Sequence, residues 1–100
     1  MQLVEPILDW HREIAAIRRD LHAHPELGYE EHRTSDLIAA RLAEWGIAVH
    51  RGLAGTGVVG IVKGGDGGGA IGLRADMDAL PMQEVNPFEH ASRNPGRMHA

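Results

Sequence analysis

Six apolar residues, Leu3, Ile7, Trp10, Ile14, Ile17 and Leu21, recur at spacings of four, three, four, three and four. A strand alternates every second residue, so this period commits the first quarter of the chain to an amphipathic helix. Pro6 suits a first helical turn, where its missing N–H leaves nothing unpaired. Glu5, Asp9 and Glu13 lie early and Arg12, Arg18 and Arg19 late, the order that the helix dipole favours. Pro25 disfavours helical geometry at His24. The pattern predicts a helix over 3–22, then a turn at His24-Pro-Glu-Leu-Gly28. A second helix is predicted from about residue 30 to Trp45, with Leu37, Ile38, Arg41, Leu42 and Trp45 as its stripe. Gly46 stands where a C-terminal cap is expected.

Beyond the helices the signal changes to β. Ile47 to Arg51 reads as a short strand, Val58-Val-Gly-Ile-Val62 as a β-branched one, and Ala70-Ile-Gly-Leu-Arg-Ala-Asp76 as a third. The run Gly64-Gly-Asp-Gly-Gly-Gly69 can take positive φ at many positions, which predicts a hairpin between the second and third strands. The fold class is therefore α/β: two N-terminal helices followed by a hairpin-containing sheet. Past Asp78 the pattern fades. Residues 79–100 hold Pro81, Pro87 and Pro95 and no apolar period, and they read as an irregular loop. No internal repeat is visible.

Composition excludes several classes. Hydrophobic residues at 43% and charged residues at 24% are globular values, not those of a disordered tail. A formal charge of -4 with no clustered basic face argues against nucleic acid and against an anionic membrane surface. No apolar run approaches the roughly 18–20 residues that span a bilayer. The N-terminus lacks the basic and apolar regions of a signal peptide. With no cysteine, disulfides and thiolate metal sites within the chain are excluded, and a cytoplasmic location is the expectation.

Several stretches could carry chemistry. Gly55-Thr-Gly-Val-Val-Gly60 matches a dinucleotide fingerprint in letters, but it opens a strand rather than a helix, so it reads as a turn. His22-Ala-His24 has a spacing that does not share a helix face, and the plain reading is a pair of helix-terminal histidines, one bonding a free carbonyl. Arg74-Ala-Asp-Met-Asp78 is the most informative. On an extended strand Arg74, Asp76 and Asp78 project to one face and Leu73, Ala75 and Met77 to the other. Two carboxylates at the end of an apolar strand are expensive unless they are paired or ligating. The alternative is a solvated edge in which Arg74 pairs with Asp76.

Four of these stretches, taken in order, resemble the M20 metallopeptidase family. They are Arg18-Arg-Asp-Leu-His-Ala-His-Pro-Glu-Leu-Gly-Tyr-Glu-Glu31, Gly55-Thr-Gly57, Gly72-Leu-Arg-Ala-Asp-Met-Asp-Ala-Leu-Pro81 and Pro95-Gly-Arg-Met-His-Ala100. The branch indicated is that of the amidohydrolases that cleave N-acyl amino acids, such as hippurate hydrolase. The resemblance implies that residues 1–100 are the N-terminal portion of an M20-type α/β catalytic domain. It implies a small-molecule N-acyl amino acid as the substrate of the full-length protein, and a smaller inserted domain that often mediates homodimerisation. The cofactor implied is a divalent metal (Mn, Zn, Co or Ni), used in metal-assisted amide hydrolysis.

In that family Met-His-Ala is typically followed by Cys-Gly-His-Asp, so the implied metal ligands lie beyond Ala100 and none is expected within the chain. Asp78 matches an aspartate that orients a metal-bound group. Asp76 stands where other branches carry a metal-binding histidine. The chain by itself is then expected to be inactive. The rival expectations are a non-catalytic α/β binding or interaction module and, from the seven histidines alone, a metal carrier.

Overall fold

The computed structural model describes residue 2 and residues 4–100. Leu3, the first residue of the predicted stripe, lies outside the described residues. Helix α1 runs Glu5–Ala23, with Pro6 in its first turn. Its stripe forms as the spacing demands, yet Ile7, Trp10 and Ile14 remain about half-exposed, because the described chain offers little to cover that face.

Helix α2 runs His32–Glu44. Its C-terminus closes as Gly46 predicts. Gly46 takes φ +73°, its N–H donates to Ala43 O at 3.0 Å, and the Ile47 N–H donates to Leu42 O at 3.0 Å. Those two bonds satisfy carbonyls that the helix itself leaves open. The N-terminus is capped from outside the helix. One oxygen of Glu26 accepts from the Thr34 N–H and the Thr34 hydroxyl, each at 2.7 Å, and the other from the Arg33 N–H at 3.0 Å.

Strands β1 (Ala48–Leu53) and β2 (Gly57–Ile61) form an antiparallel two-stranded sheet, Ala48 opposite Ile61 and Arg51 opposite Val58. The pairing slips between Arg51 and Leu53, where Gly52 takes φ +92°. This corrects two expectations. The hairpin turns at Gly55 (φ +91°) and not through the glycine run, and residues 70–76 form no strand among the described residues. Closing three residues, 54–56, costs less chain entropy than closing the eight from Val62 to Gly69, and six of those eight would include freely rotating glycine-rich backbone. Gly57 is obligatory there: a Cβ would sit 2.6 Å from Leu53 O. Gly60 brings the hairpin onto α2, since its missing side chain leaves room for Leu42 and Ile47.

The most deeply buried apolar residues among those described are Pro25, Ala23, Ala39 and Ala79, and they are joined by Glu31, Thr34, Ser35, Thr56 and Glu84. The interior is thus organised by polar knots. Thr56 Oγ1 donates to Glu31 at 2.6 Å, fixing the hairpin turn to the start of α2. At the surface, Arg33 donates to both oxygens of Asp20 at 2.9 and 3.0 Å, tying α2 to α1. Arg51 donates to Ser35 and to Asp36.

Candidate functional site

Three motif stretches distant in sequence converge at the end of α1. The Ala79 N–H donates to Glu26 O at 2.8 Å, and Leu27 bridges Ala79 in parallel, which sets Asp78 against the 24–28 turn. Leu80 and Met98 exchange two backbone bonds of 2.9 and 3.0 Å, which draws Met98-His99 to the same place. Asp78 Oδ2 lies 3.9 Å from where a Gly28 Cβ would stand, so a glycine at 28 keeps the approach open. The His-Pro-Glu-Leu, Asp-Met-Asp and Met-His-Ala segments therefore share one locus although up to about 70 residues separate them.

The stretch from Pro81 to Arg97 forms no helix or strand, but hydrogen bonds fix its course. The Arg93 N–H donates to Ala23 O at 2.9 Å, the Asn94 side chain to Pro25 O at 2.9 Å, and the Gly96 N–H to the Gln83 side chain at 2.7 Å. Glu84 is the centre of this segment. It accepts from His22 Nε2 at 2.8 and 3.1 Å, from the Asn86 amide at 3.0 Å and from the Ser92 N–H. The Asn86 amide, against the upward push of burial, and then the His22 ring and the Ser92 N–H hold its carboxyl down to about 2 from the ordinary 4.5. A carboxylate with several donors stays ionised far below neutrality.

The histidines divide by role. His24 Nδ1 donates to Asp20 O at 2.8 Å, the helix-terminal arrangement that the spacing suggested. His22 spends Nε2 on Glu84 and meets Phe88 and His90 edge-on, each at 5.5 Å between centroids, while Phe88 and His90 stack at 4.0 Å. His99 lies 6.2 Å from His22, and its Nε2 is buried with no hydrogen-bond partner among the described residues. Burial pushes His90 below its ordinary value, with Arg19, His22 and Arg18 adding to the shift. Burial also pushes His99 down, with His22 adding and Asp78 opposing.

Asp76 and Asp78 behave differently from each other. Asp76 accepts from Arg74 Nη2 at 2.7 Å in the open, the solvated-edge pairing, and an exposed pair of this kind contributes at most about 1 kcal/mol. Asp78 is exposed and lies near His99 and Gly28. A cleft of about 840 Å³ runs beside them, bounded by Leu21, Leu42, Val58, Leu73, Asp76 and His99 among others. A second hollow, of about 450 Å³ between Trp10, Glu13, Ile14 and Trp45, lies apart from this chemistry.

Among the described residues no group of three or more His, Cys, Asp or Glu is disposed to hold a metal ion. His22 is engaged with Glu84 and Asp76 with Arg74, so the described residues do not by themselves assemble a metal centre. Glu84 and Glu26 were not singled out by the sequence. Glu84 sits in the segment with no period, and Glu26, though part of the His24-Pro-Glu-Leu-Gly28 stretch, caps a helix that begins six residues later.

Comparison with known proteins bears on the whole chain. It is 45% identical to hippurate hydrolase of Campylobacter jejuni over 100 residues, which is all of this chain and 26% of that protein. It is 47% identical to IAA-amino acid hydrolase ILR1-like 5 of Arabidopsis thaliana, over 96% of this chain and 21% of that one. It is 44% identical to N-acyl-L-amino acid amidohydrolase of Geobacillus stearothermophilus, over 88% of this chain and 24% of that one. Among solved structures, the Bacillus subtilis YXEP protein, described as a dinuclear metal-binding peptidase of the M20 family, superposes with a TM-score of 0.85. Its identity is 41%, over 91% of this chain and 26% of that one. The chain thus spans about a quarter of the length of the curated relatives it matches. No family model matches it.

Proposed function

We propose, from the premise that this chain belongs to the M20 metallopeptidase family, that residues 1–100 are the N-terminal portion of the catalytic domain of a metal-dependent amidohydrolase. The substrate class is N-acyl amino acids, whose amide bond is hydrolysed. The observation that carries this reading is the likeness to the Bacillus M20 peptidase, in which sequence identity and backbone superposition extend over nine-tenths of this chain together. The names of the relatives, hippurate hydrolase and N-acyl-L-amino acid amidohydrolase, point to the same bond.

In this reading the chain is scaffold. A divalent ion, of the Mn, Zn, Co or Ni class, is held by other residues of the whole protein. The chain contributes Asp78, whose carboxylate orients a neighbouring group; its approach to the 24–28 turn, through the Ala79–Glu26 backbone bond, supports this reading. Asp76 is a lesser candidate, since Arg74 already satisfies it. No described helix is long and apolar enough to cross a membrane, and we place the whole protein in the cytoplasm, in some members' manner as a homodimer.

The test is hydrolysis of N-acyl amino acids, hippurate first, in two preparations. The chain alone, supplied with Mn²⁺, Zn²⁺ or Co²⁺, is expected to be inactive. The same chain substituted for the matching 100 residues of the Campylobacter enzyme is expected to restore EDTA-sensitive turnover. Turnover by the chain alone, or an inert but folded hybrid, refutes the proposal.

A further inference from the structure

The stretch from Pro81 to Arg97 is a loop with a defined neck. Leu80 and Met98 close it with their two backbone bonds, and Asp78 stands two residues before that pair, His99 one residue after it. Glu84 is the one buried residue of the loop, with a side chain only 2% exposed. Both of its oxygens are occupied. One faces His22 Nε2 and the Ser92 N–H, the other His22 Nε2 and the Asn86 amide. A neutral amide of the same shape would set an NH2 group against two of those donors.

A buried, paired charge adds little net stability over an apolar filling, and its best-attested use is to hold one arrangement against others. Here the arrangement runs to the neck. The Ser92 N–H donates to Glu84, the Ser92 hydroxyl donates to Arg97 O at 2.7 Å, and Arg97 directly precedes Met98. On the other side His22 carries the link to α1, and its ring lies 6.2 Å from that of His99. His22, Asp76 and His99 border the 840 Å³ cleft and Glu84 does not, so whatever Glu84 does there it does through its neighbours.

We infer that Glu84 is a positioning residue: through His22 and Ser92 it clasps the Pro81–Arg97 loop, fixes the Leu80–Met98 neck, and so sets where the Asp78 carboxylate stands. What Asp78 does from that place rests on the family reading above. The clasp itself does not.

Two measurements test this. In the chain itself, hydrogen exchange read residue by residue by NMR is expected to show the Leu80 and Met98 amides exchanging about 10-fold faster in Glu84→Gln, with those of the β1–β2 hairpin unchanged. In the Campylobacter hybrid, Glu84→Gln is expected to lower kcat for hippurate about 10-fold and to leave KM within about twofold. The same change in an Asp78→Asn background is expected to lower kcat by less than about twofold, because a residue that acts through Asp78 then has nothing left to position. Ser92→Ala keeps the N–H for Glu84 and cuts the hydroxyl bond to Arg97 O. It is expected to show the same masking, and it carries the comparison if the Glu84→Gln hybrid does not fold.

Neck amides that exchange at the wild-type rate overturn the inference. So do losses that multiply with that of Asp78→Asn, the mark of a general weakening of the fold. An inert unmutated hybrid removes the proposed function alone, and the neck amides then decide the clasp.

Discussion

Replacing Glu26 by alanine removes the external cap of α2. Three acceptor contacts disappear: the Arg33 N–H, the Thr34 N–H and the Thr34 hydroxyl. Loss of a capping side chain costs about 1 kcal/mol. Loss of a negative charge at a helix N-terminus costs about 0.3–1 kcal/mol more. Thr34 is only 1% exposed, so its stranded donors carry a desolvation penalty of about 1–3 kcal/mol, part of which hydroxyl rotation recovers. Together these predict that Glu26→Ala destabilises the fold by about 2–4 kcal/mol, and that Glu26→Gln, which keeps one carbonyl oxygen for Thr34, costs about 1 kcal/mol.

The pH dependence adds a sign. Burial pushes the Glu26 carboxyl up, but the Thr34 hydroxyl and the Thr34 and Arg33 amides outweigh it and hold it below its ordinary 4.5. A depressed carboxyl contributes stability that is complete above the unfolded value and is lost as pH falls through the folded one. The gap between wild type and Glu26→Gln should therefore be full at pH 7 and shrink only as the solution is acidified below the ordinary carboxylate range. Urea unfolding followed by circular dichroism at 222 nm, from pH 7 to pH 2.5, reads both effects. An alanine variant within 0.5 kcal/mol of wild type, or a glutamine gap that does not change with pH, refutes the capping argument.

Gly57→Ala should break the β1–β2 hairpin, because its Cβ would lie 2.6 Å from a backbone oxygen that cannot rotate away. Overpacking of this kind costs about 1–3 kcal/mol, and loss of the cross-strand Overhauser contact between Arg51 and Val58 checks it. Glu84→Gln should loosen the Pro81–Arg97 segment while both helices persist, with the Ser92 amide exchanging about 10-fold faster. Since Glu84 is held down to about 2, its contribution is complete above the ordinary 4.5, fades as pH falls through about 2, and should bring wild type and variant together only there. In the Campylobacter hybrid, Asp78→Asn should lower metal affinity or turnover by about 10–100-fold, read by metal titration and hippurate release, and Asp76→Asn should do much less.

How far the sequence could be read depended on the range over which each feature is decided. α1 and its Pro6 start, α2 and its Gly46 stop were legible because the apolar period and the caps lie within a few residues of one another. The Arg74–Asp76 pair was legible for the same reason. The hairpin was placed one strand too late because two glycine turns compete for Val58–Ile61, and the letters do not reveal which closure is cheaper. The strand reading of 70–76 lacks the partner that would make it a strand, which no local pattern discloses. His22 reaches Glu84 across 62 residues, and Glu26 reaches Thr34 across eight from outside the helix it caps. Neither contact leaves a periodic trace. Asp78 was noticed through its neighbours in the chain, but its company with Gly28 and His99 is a property of the fold.

The deepest apolar burial described belongs to Pro25 and three alanines, and the rest of the tight interior is carboxylate and hydroxyl. Burial of that composition has a thermal consequence. Exposing apolar area on unfolding raises the heat capacity, and exposing polar area lowers it, so the two contributions here offset one another. A typical domain of this length would show an increment of about 1.2–1.5 kcal/mol/K, and this chain should fall well below it. Its stability curve is then shallow: little is gained on warming from the cold, and melting spreads over a broad interval.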